Sequence, residues 1–228
     1  MPVPFMYASP EQVMKDKADY ARKGIARGKA IVALEYADGI LFLAENPSAT
    51  LHKVSEIYDR LAFAGVGKYN EYENLRIAGI RQADLKGYAY SRDDVTARAL
   101  ANMYSQVLGQ IFTEAVKPFE VEILLAQVGA DGQPNELYHV MYDGTMTDEE
   151  GFVALGGQSD DLARWLKDNY RPDSDLESAI RTGIGALTSG GSRELPAAQI
   201  EAAVLDRTLG RRKFKRLSDE TIAAAQGA

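Results

Sequence analysis

Apolar and polar positions along the chain follow two different periods, and these periods predict its strands and helices. Three runs rich in Ile, Val, Leu, Phe and Tyr cover residues 30–36, 40–44 and 57–66, which is the pattern of buried strands. Asp38-Gly39 separates the first two runs, and this dipeptide tolerates the positive φ of a tight hairpin. We therefore expect the first two runs to pair antiparallel and to begin a meander that the third run continues.

A second group of strands follows in the C-terminal half of the chain. Alternation of apolar and polar residues, with turn signals at Asp131-Gly132 and Asp143-Gly144, predicts further extended segments there. The predicted strands of this group are residues 119–128, 136–141, 152–155, 200–205 and 214–217.

Helical spacing of apolar residues predicts the remaining elements. Ser9 can cap the first helix, Pro10 fits its first position, and Gln12 stands where a capping box places Glu or Gln. The predicted helices cover residues 9–27, 70–88, 91–115, 159–169, 175–188 and 218–228, the third of them opening at Ser91-x-x-Asp94. This order of strands, two helices, strands, two helices and strands predicts two stacked sheets with a helical layer outside each.

Length and composition favour one large domain. The chain has 228 residues, 46% hydrophobic and 26% charged, and no Pro-, Gly- or Ser-rich linker divides it until near the C-terminus. We expect a single domain over residues 9–228, opened by the helix at 9–27. Residues 1–8 form a separate arm, because Pro2 and Pro4 prevent a regular helix there. This arm is unusually apolar, and it either packs against something or is an incidental terminus.

Charge and composition exclude several classes of function. The net charge of −7 argues against a nucleic-acid binder, and the absence of cysteine excludes disulfides, thiolate nucleophiles and cysteine-type zinc sites. His52 and His139, the two histidines, have no spacing that indicates a metal site. No apolar run approaches the ~20 residues of a membrane span, and the start lacks the features of a signal peptide. We expect no metal, no cofactor and no membrane partner, and a cytoplasmic localisation.

Several segments carry a resemblance to a known family. They are SPEQ followed by ARKGIARG, KAIVALEYADGILFLAENPS, LHKVSEIYDRLAFAGVGKYNEYENLR and GQIFTEAVKPFEVEILLAQV. Because of these segments, the chain resembles the α-type subunits of the 20S proteasome in their actinobacterial form, and the resemblance extends over nearly the whole chain. The resemblance implies an α+β fold, a four-layer αββα sandwich of the N-terminal-nucleophile hydrolase type with an extra N-terminal helix. It also implies heptameric α rings outside the β rings that cut peptide bonds.

The residues themselves argue against a catalytic role. An N-terminal-nucleophile enzyme needs a Thr, Ser or Cys whose freed α-amine acts as the base. Alignment of the first strand pair with a β-type subunit puts Lys29 at the nucleophile position and Glu45 at the position of the assisting carboxylate. Thr145 and Ser192, each preceded by glycine, are better explained as turns. We therefore predict no catalytic residue.

Lys53 is the main candidate for a binding role. By residue type alone, a lysine is usually a solvated surface group. The resemblance implies instead that Lys53 lines a pocket between neighbouring subunits and pairs with the C-terminal carboxylate of a docking activator, a task that suits a flexible ammonium. Gly28 and Gly67 match pocket-floor positions of the family. The alternative is that both are glycines that merely permit the backbone path.

The resemblance also suggests a purpose for the arm and a set of partners. Copies of the arm would converge on the ring axis and cover the substrate pore with Pro2, Val3, Pro4, Phe5, Met6, Tyr7 and Ala8. The implied partners are β subunits, other α subunits, and an AAA+ ATPase ring or ATP-independent activator that docks through C-terminal tails. The implied process is degradation of proteins tagged with a small ubiquitin-like modifier. The alternatives are a self-processing N-terminal-nucleophile amidohydrolase or threonine protease, and a ring protein without a protease partner.

Overall fold

The computed structural model describes residues 9–130, 132–189 and 194–227. Four features of the sequence analysis lie outside these ranges: the arm at residues 1–8, Asp131 of the predicted turn, Ser192, and Ala228 at the end of the last predicted helix. Within the described ranges the strands are β1 (Ile31–Tyr36), β2 (Gly39–Glu45), β3 (Val54–Tyr58), β4 (Leu61–Gly67), β5 (Val121–Gln127), β6 (Glu136–Val140), β7 (Met146–Glu149), β8 (Phe152–Leu155), β9 (Ile200–Asp206) and β10 (Phe214–Arg216). The helices are α1 (Pro10–Ala26), α2 (Tyr69–Ala89), α3 (Ala97–Glu114), α4 (Ser159–Asn169), α5 (Leu176–Thr188) and α6 (Asp219–Gly227).

The strands form two antiparallel sheets of five strands each. The first sheet has the order β10-β9-β2-β1-β8, and the second has the order β3-β4-β5-β6-β7. Apolar residues of both inner faces form one core between the sheets. Helices α4, α5 and α6 cover the outer face of the first sheet, and α2 and α3 cover the outer face of the second. The predicted αββα sandwich is therefore confirmed.

The predicted hairpin of the first two strands is confirmed, with its turn moved by one residue. Tyr36 pairs with Gly39, so Ala37 and Asp38 form the turn and Gly39 already belongs to β2. Glycine is needed at this position because of a close approach: a Cβ on Gly39 would collide with the carbonyl oxygen of Leu205 on β9.

The predicted meander is wrong, because the chain crosses to the other sheet after β2. Strand β2 already has β1 on one side and β9 on the other, so no edge is left for a third consecutive strand. The predicted run at 57–66 also forms parts of two strands, β3 and β4, because the chain turns at Asp59 and Arg60. In the crossing segment, the Asn46 side chain donates to the carbonyl oxygen of Leu51 (2.7 Å).

Two further elements differ from the sequence prediction. Strand β7 was not predicted, because its sequence Met-Thr-Asp-Glu has too few apolar residues to show a strand period. The third helix begins later than expected, at Ala97, where the Thr96 hydroxyl accepts from the N–H of Ala99 (3.3 Å). Ser91 caps a separate 3-10 turn instead, accepting from the N–H of Asp93 (3.3 Å).

Helix α1 lies at one open end of the sandwich. Ser9 caps it as predicted, accepting from the N–H of Gln12 (3.2 Å). Ala21 and Ile25 are 0% and 3% exposed, and both belong to the core between the sheets. The helix is therefore an integral part of the hydrophobic core and not an appendage. No helix in the described ranges has the length and apolarity that a bilayer crossing requires.

Candidate functional site

Three of the aligned residues, Lys29, Glu45 and Lys53, meet at the end of the sandwich beside α1. Lys29 precedes β1 and Glu45 ends β2, so the hairpin register brings them together across the sheet. The Lys29 ammonium lies 2.9 Å from Glu45 Oε1. Lys53, in the segment that enters β3, donates from Nζ to the carbonyl oxygen of Lys29 (2.6 Å). Residues from three parts of the chain thus form one compact, charged cluster.

Position 29, which the sequence analysis aligned with the nucleophile of β-type subunits, holds no hydroxyl and no free α-amine. Lys29 carries an ammonium paired with a carboxylate, and its backbone nitrogen is part of the peptide bond that joins it to Gly28. A cleft of about 560 Å³ opens beside it. Thr188 supplies the one side-chain hydroxyl among the described residues that line this cleft, and this hydroxyl donates to the carbonyl oxygen of Ile184 in its own helix (2.9 Å). Thr145 lies in the turn between β6 and β7.

The environment of Lys53 changes its acidity. Burial lowers the pKa of Lys53 from its ordinary value to about 8, and the positive charge of Lys29 acts in the same direction. The carboxylates of Glu201 and Glu45 act in the opposite direction. The lysine therefore keeps its positive charge near neutral pH and loses it at a lower pH than an ordinary surface lysine does.

Gly28 and Gly67 lie against each other next to this cluster. Gly67 ends β4 with φ of +106°, and a Cβ there would collide with the carbonyl oxygen of Glu120. A Cβ on Gly28 would lie 2.7 Å from Val66 Cγ1 and 3.1 Å from the Gly67 nitrogen. Gly67 is thus required by the backbone path, whereas Gly28 is required by its close packing against Val66. Gly28 also directly precedes the residue whose carbonyl group Lys53 contacts.

The loop before α4 completes this glycine-rich corner. Gly157 donates from its N–H to the carbonyl oxygen of Gly28 (3.2 Å). Gly156 has φ of +89°, and a Cβ there would also lie 2.7 Å from Val66 Cγ1. Backbone from four separate segments therefore converges here, at residues 28, 66–67, 120 and 156–157. The glycines leave little side-chain volume between these segments.

Glu201 is the residue of this site that the sequence analysis missed. It lies on β9, and its carboxylate accepts from the backbone N–H groups of Lys53 (2.8 Å) and Val54 (3.2 Å). Its position 148 residues after Lys53 hides the contact from any local pattern. One signal was available in the sequence. Glu201 is an acidic residue near the start of the stretch Ile200–Asp206, whose other residues before Asp206 are all apolar.

Comparison with known proteins adds an independent line of evidence. The family model described as "Proteasome subunit" matches residues 25–205. The chain is 56% identical to the proteasome subunit alpha of Frankia alni, with 98% of this chain and 96% of that protein covered. It is 57% identical to the proteasome subunit alpha of Streptosporangium roseum, with 96% and 84% covered. It is 54% identical to that of Kineococcus radiotolerans, with 98% and 97% covered.

Proposed function

The chain belongs to the proteasome subunit family, and from this we propose that it is a non-catalytic α-ring subunit of the proteasome core. The observation that carries the proposal is Lys29, an ammonium paired with Glu45 at 2.9 Å where a catalytic member needs a hydroxyl. The name of the relatives, proteasome subunit alpha, supports the same assignment, since they align over most of both chains. Peptide-bond cleavage then belongs to β subunits stacked against the α ring.

We propose that the cluster around Lys53 docks the C-terminal tail of an activator. An ammonium has three N–H donors, and the hydrogen bonds described for Lys53 use one of them, on the Lys29 carbonyl oxygen. A tail carboxylate can accept the others. In this proposal Gly28 and Gly67 form the floor of the pocket, and Gly28 also lines the neighbouring cleft. The activator in this proposal is an AAA+ ATPase ring or an ATP-independent cap. The ATPase ring would deliver tagged proteins in the cytoplasm.

We also propose that residues 1–8 gate the entrance to the ring. Support comes from their apolar composition and from the two ends of α1. At one end, Ser9 caps the helix and joins it to the arm. At the other end, the chain passes through Gly28 to the Lys29 carbonyl that Lys53 contacts. The helix of 17 residues is about 25 Å long, so it connects the docking cluster to the gate.

A test of the assignment begins with the purified chain alone. We expect it to cleave no peptide substrate and to show an intact mass that starts at Met1 or Pro2. Co-expression with a β subunit should yield a large particle whose peptidase activity depends on the β nucleophile. A chain that cleaves by itself and starts at a new Thr or Ser would instead indicate a self-processing hydrolase. A ring that never associates with any β subunit would indicate a structural protein without a protease.

The affinity for an activator tail should also depend on pH, because it depends on the protonation state of Lys53. Because burial lowers the pKa of Lys53 to about 8, the ammonium is lost as the pH rises through that value. The affinity for a peptide with a free C-terminal carboxylate should then fall about tenfold per pH unit, until the pKa of the bound lysine is reached. Binding measured from about pH 7 to about pH 10 checks this, with the C-terminally amidated peptide as the control. A decline that starts only near the ordinary lysine pKa would contradict it.

A further inference from the structure

Glu201 stands where the two sheets meet beneath the Lys53 segment. It belongs to β9 of the first sheet, and strand alternation puts it on the same face as Ala203 and Leu205, which are in the core between the sheets. From there its carboxylate reaches the segment that enters β3 of the second sheet. Its side chain is only 8% exposed, so its charge needs strong partners.

Hydrogen-bond donors surround this carboxylate. Besides the N–H groups of Lys53 and Val54, it accepts from Asn46 Nδ2 (2.8 Å) and from Arg216 Nη1 (2.7 Å). His52 Nδ1 lies 3.3 Å away. An ionised carboxylate offers about four acceptor positions, so these groups saturate it.

Arg216 holds the same segment from a second direction. While one guanidinium nitrogen donates to Glu201, the other donates to the carbonyl oxygen of Val54 (2.7 Å). The peptide group between Lys53 and Val54 and the carbonyl of Val54 are therefore tied to β9 and β10. With the backbone fixed on both sides, the long Lys53 side chain starts from a defined position.

We propose that Glu201 is a positioning residue for the activator pocket: by binding the backbone N–H groups of Lys53 and Val54, it holds the Lys53 ammonium where a tail carboxylate docks. This inference rests on the docking role proposed for Lys53. The ligand it serves is a peptide chain terminus that carries a negative charge. Fixing the lysine in advance reduces the conformational entropy that binding would otherwise cost. The negative charge of Glu201 also favours the charged form of Lys53.

Glu201→Gln separates this role from mere structural support. The N–H groups of Lys53 and Val54 bind different oxygens of the carboxylate, so glutamine keeps an acceptor for only one of them. It also removes the negative charge and places an amide NH2 group where the second oxygen was. In the assembled particle, we expect this variant to bind a short apolar peptide with a free C-terminal carboxylate about tenfold more weakly. We also expect the pH at which binding declines to move lower, because Lys53 loses the carboxylate that favours its charged form.

Glu35→Gln is the matched control. Glu35 lies in a comparable network at the other end of β1, where it accepts from Asn135 Nδ2 (2.7 Å) and from the N–H of Gly151 (3.0 Å). Urea unfolding should show a loss of stability in both variants. Peptide affinity and its pH dependence should change in Glu201→Gln alone. Particle size by gel filtration confirms that each variant assembles.

The outcomes distinguish this inference from the docking proposal. If Lys53→Ala does not weaken peptide binding, the docking proposal fails and the role of Glu201 fails with it. If Lys53→Ala weakens binding but Glu201→Gln behaves like Glu35→Gln, the positioning role alone is overturned. It is equally overturned if Glu201→Gln lowers the affinity while the pH of the decline stays the same. Should Glu201→Gln fail to assemble, Arg216→Gln, which leaves Glu201 in place but removes its guanidinium partner, must lower the affinity or the inference is wrong.

Discussion

Replacing Lys53 with Ala should weaken the docking of an activator tail by about 10- to 100-fold. The expected loss is that of a hydrogen bond between charged groups, about 1.5–3 kcal/mol, because a tail carboxylate would lose its ammonium partner. The half-buried setting of Lys53 favours the upper part of this range, since a carboxylate left unpaired there is poorly solvated. Peptide binding and activator-stimulated peptide hydrolysis by assembled particles both measure the effect.

Lys167→Ala is a suitable control for this prediction. Lys167 is exposed on α4, so its removal deletes the same charge and changes neither the affinity nor the stimulation. Particles that contain Lys53→Ala should have the normal size and the normal basal activity. The hydrogen bond described for the lysine side chain is to the carbonyl oxygen of Lys29, and the backbone hydrogen bonds of residue 53 remain in the variant. An unchanged affinity for the tail would show that the carboxylate role is wrong.

Deleting residues 1–8 should raise peptide hydrolysis by assembled particles several-fold without changing which bonds are cut. The proposed arms cover the pore through contacts among apolar side chains, and such contacts disappear with the segment. The deletion ends before Ser9, so the cap of α1 stays in place. Hydrolysis of a short fluorogenic peptide measures the rate, and the product pattern of a longer peptide measures the specificity.

A full-length variant separates the apolar contacts from the mere length of the arm. Changing Val3, Phe5 and Met6 to Ser keeps the length of the arm and its Tyr7 but removes three of its large apolar side chains. It should accelerate hydrolysis nearly as much as the deletion does. If the deletion brings no increase, the gate proposal is wrong; if the deletion accelerates hydrolysis but the serine variant does not, the arm blocks the pore by its backbone.

The sequence allowed much of the fold to be predicted, and the errors have physical causes. The β1–β2 hairpin was accessible because its apolar runs and its turn lie within one short stretch. The crossing after β2 was not, because it depends on β9 occupying the edge that β3 would otherwise take. The place of Gly39 in β2 also depends on β9, since Gly39 pairs with Asp206 and the carbonyl oxygen that excludes a side chain there belongs to Leu205.

The candidate site shows the same division between local and long-range information. Lys29, Glu45 and Lys53 were identified by alignment with the family, and the structure brings them together through the register of the β1–β2 hairpin and the Lys53–Lys29 contact. Glu201 could not be found in this way. It comes from a strand far along the chain, and its role follows from four donors that only the folded structure assembles around it.

The burial of α1 has a consequence for any attempt to convert this chain into a catalytic subunit. Catalytic relatives would expose their nucleophile by cutting away everything before the first strand, and here that cut would fall between Gly28 and Lys29. It would remove Ala21 and Ile25, which are 0% and 3% exposed and belong to the core between the sheets. Their loss would leave an apolar cavity at the end of the sandwich. A hydroxyl introduced at position 29 would therefore not by itself produce a catalytic subunit.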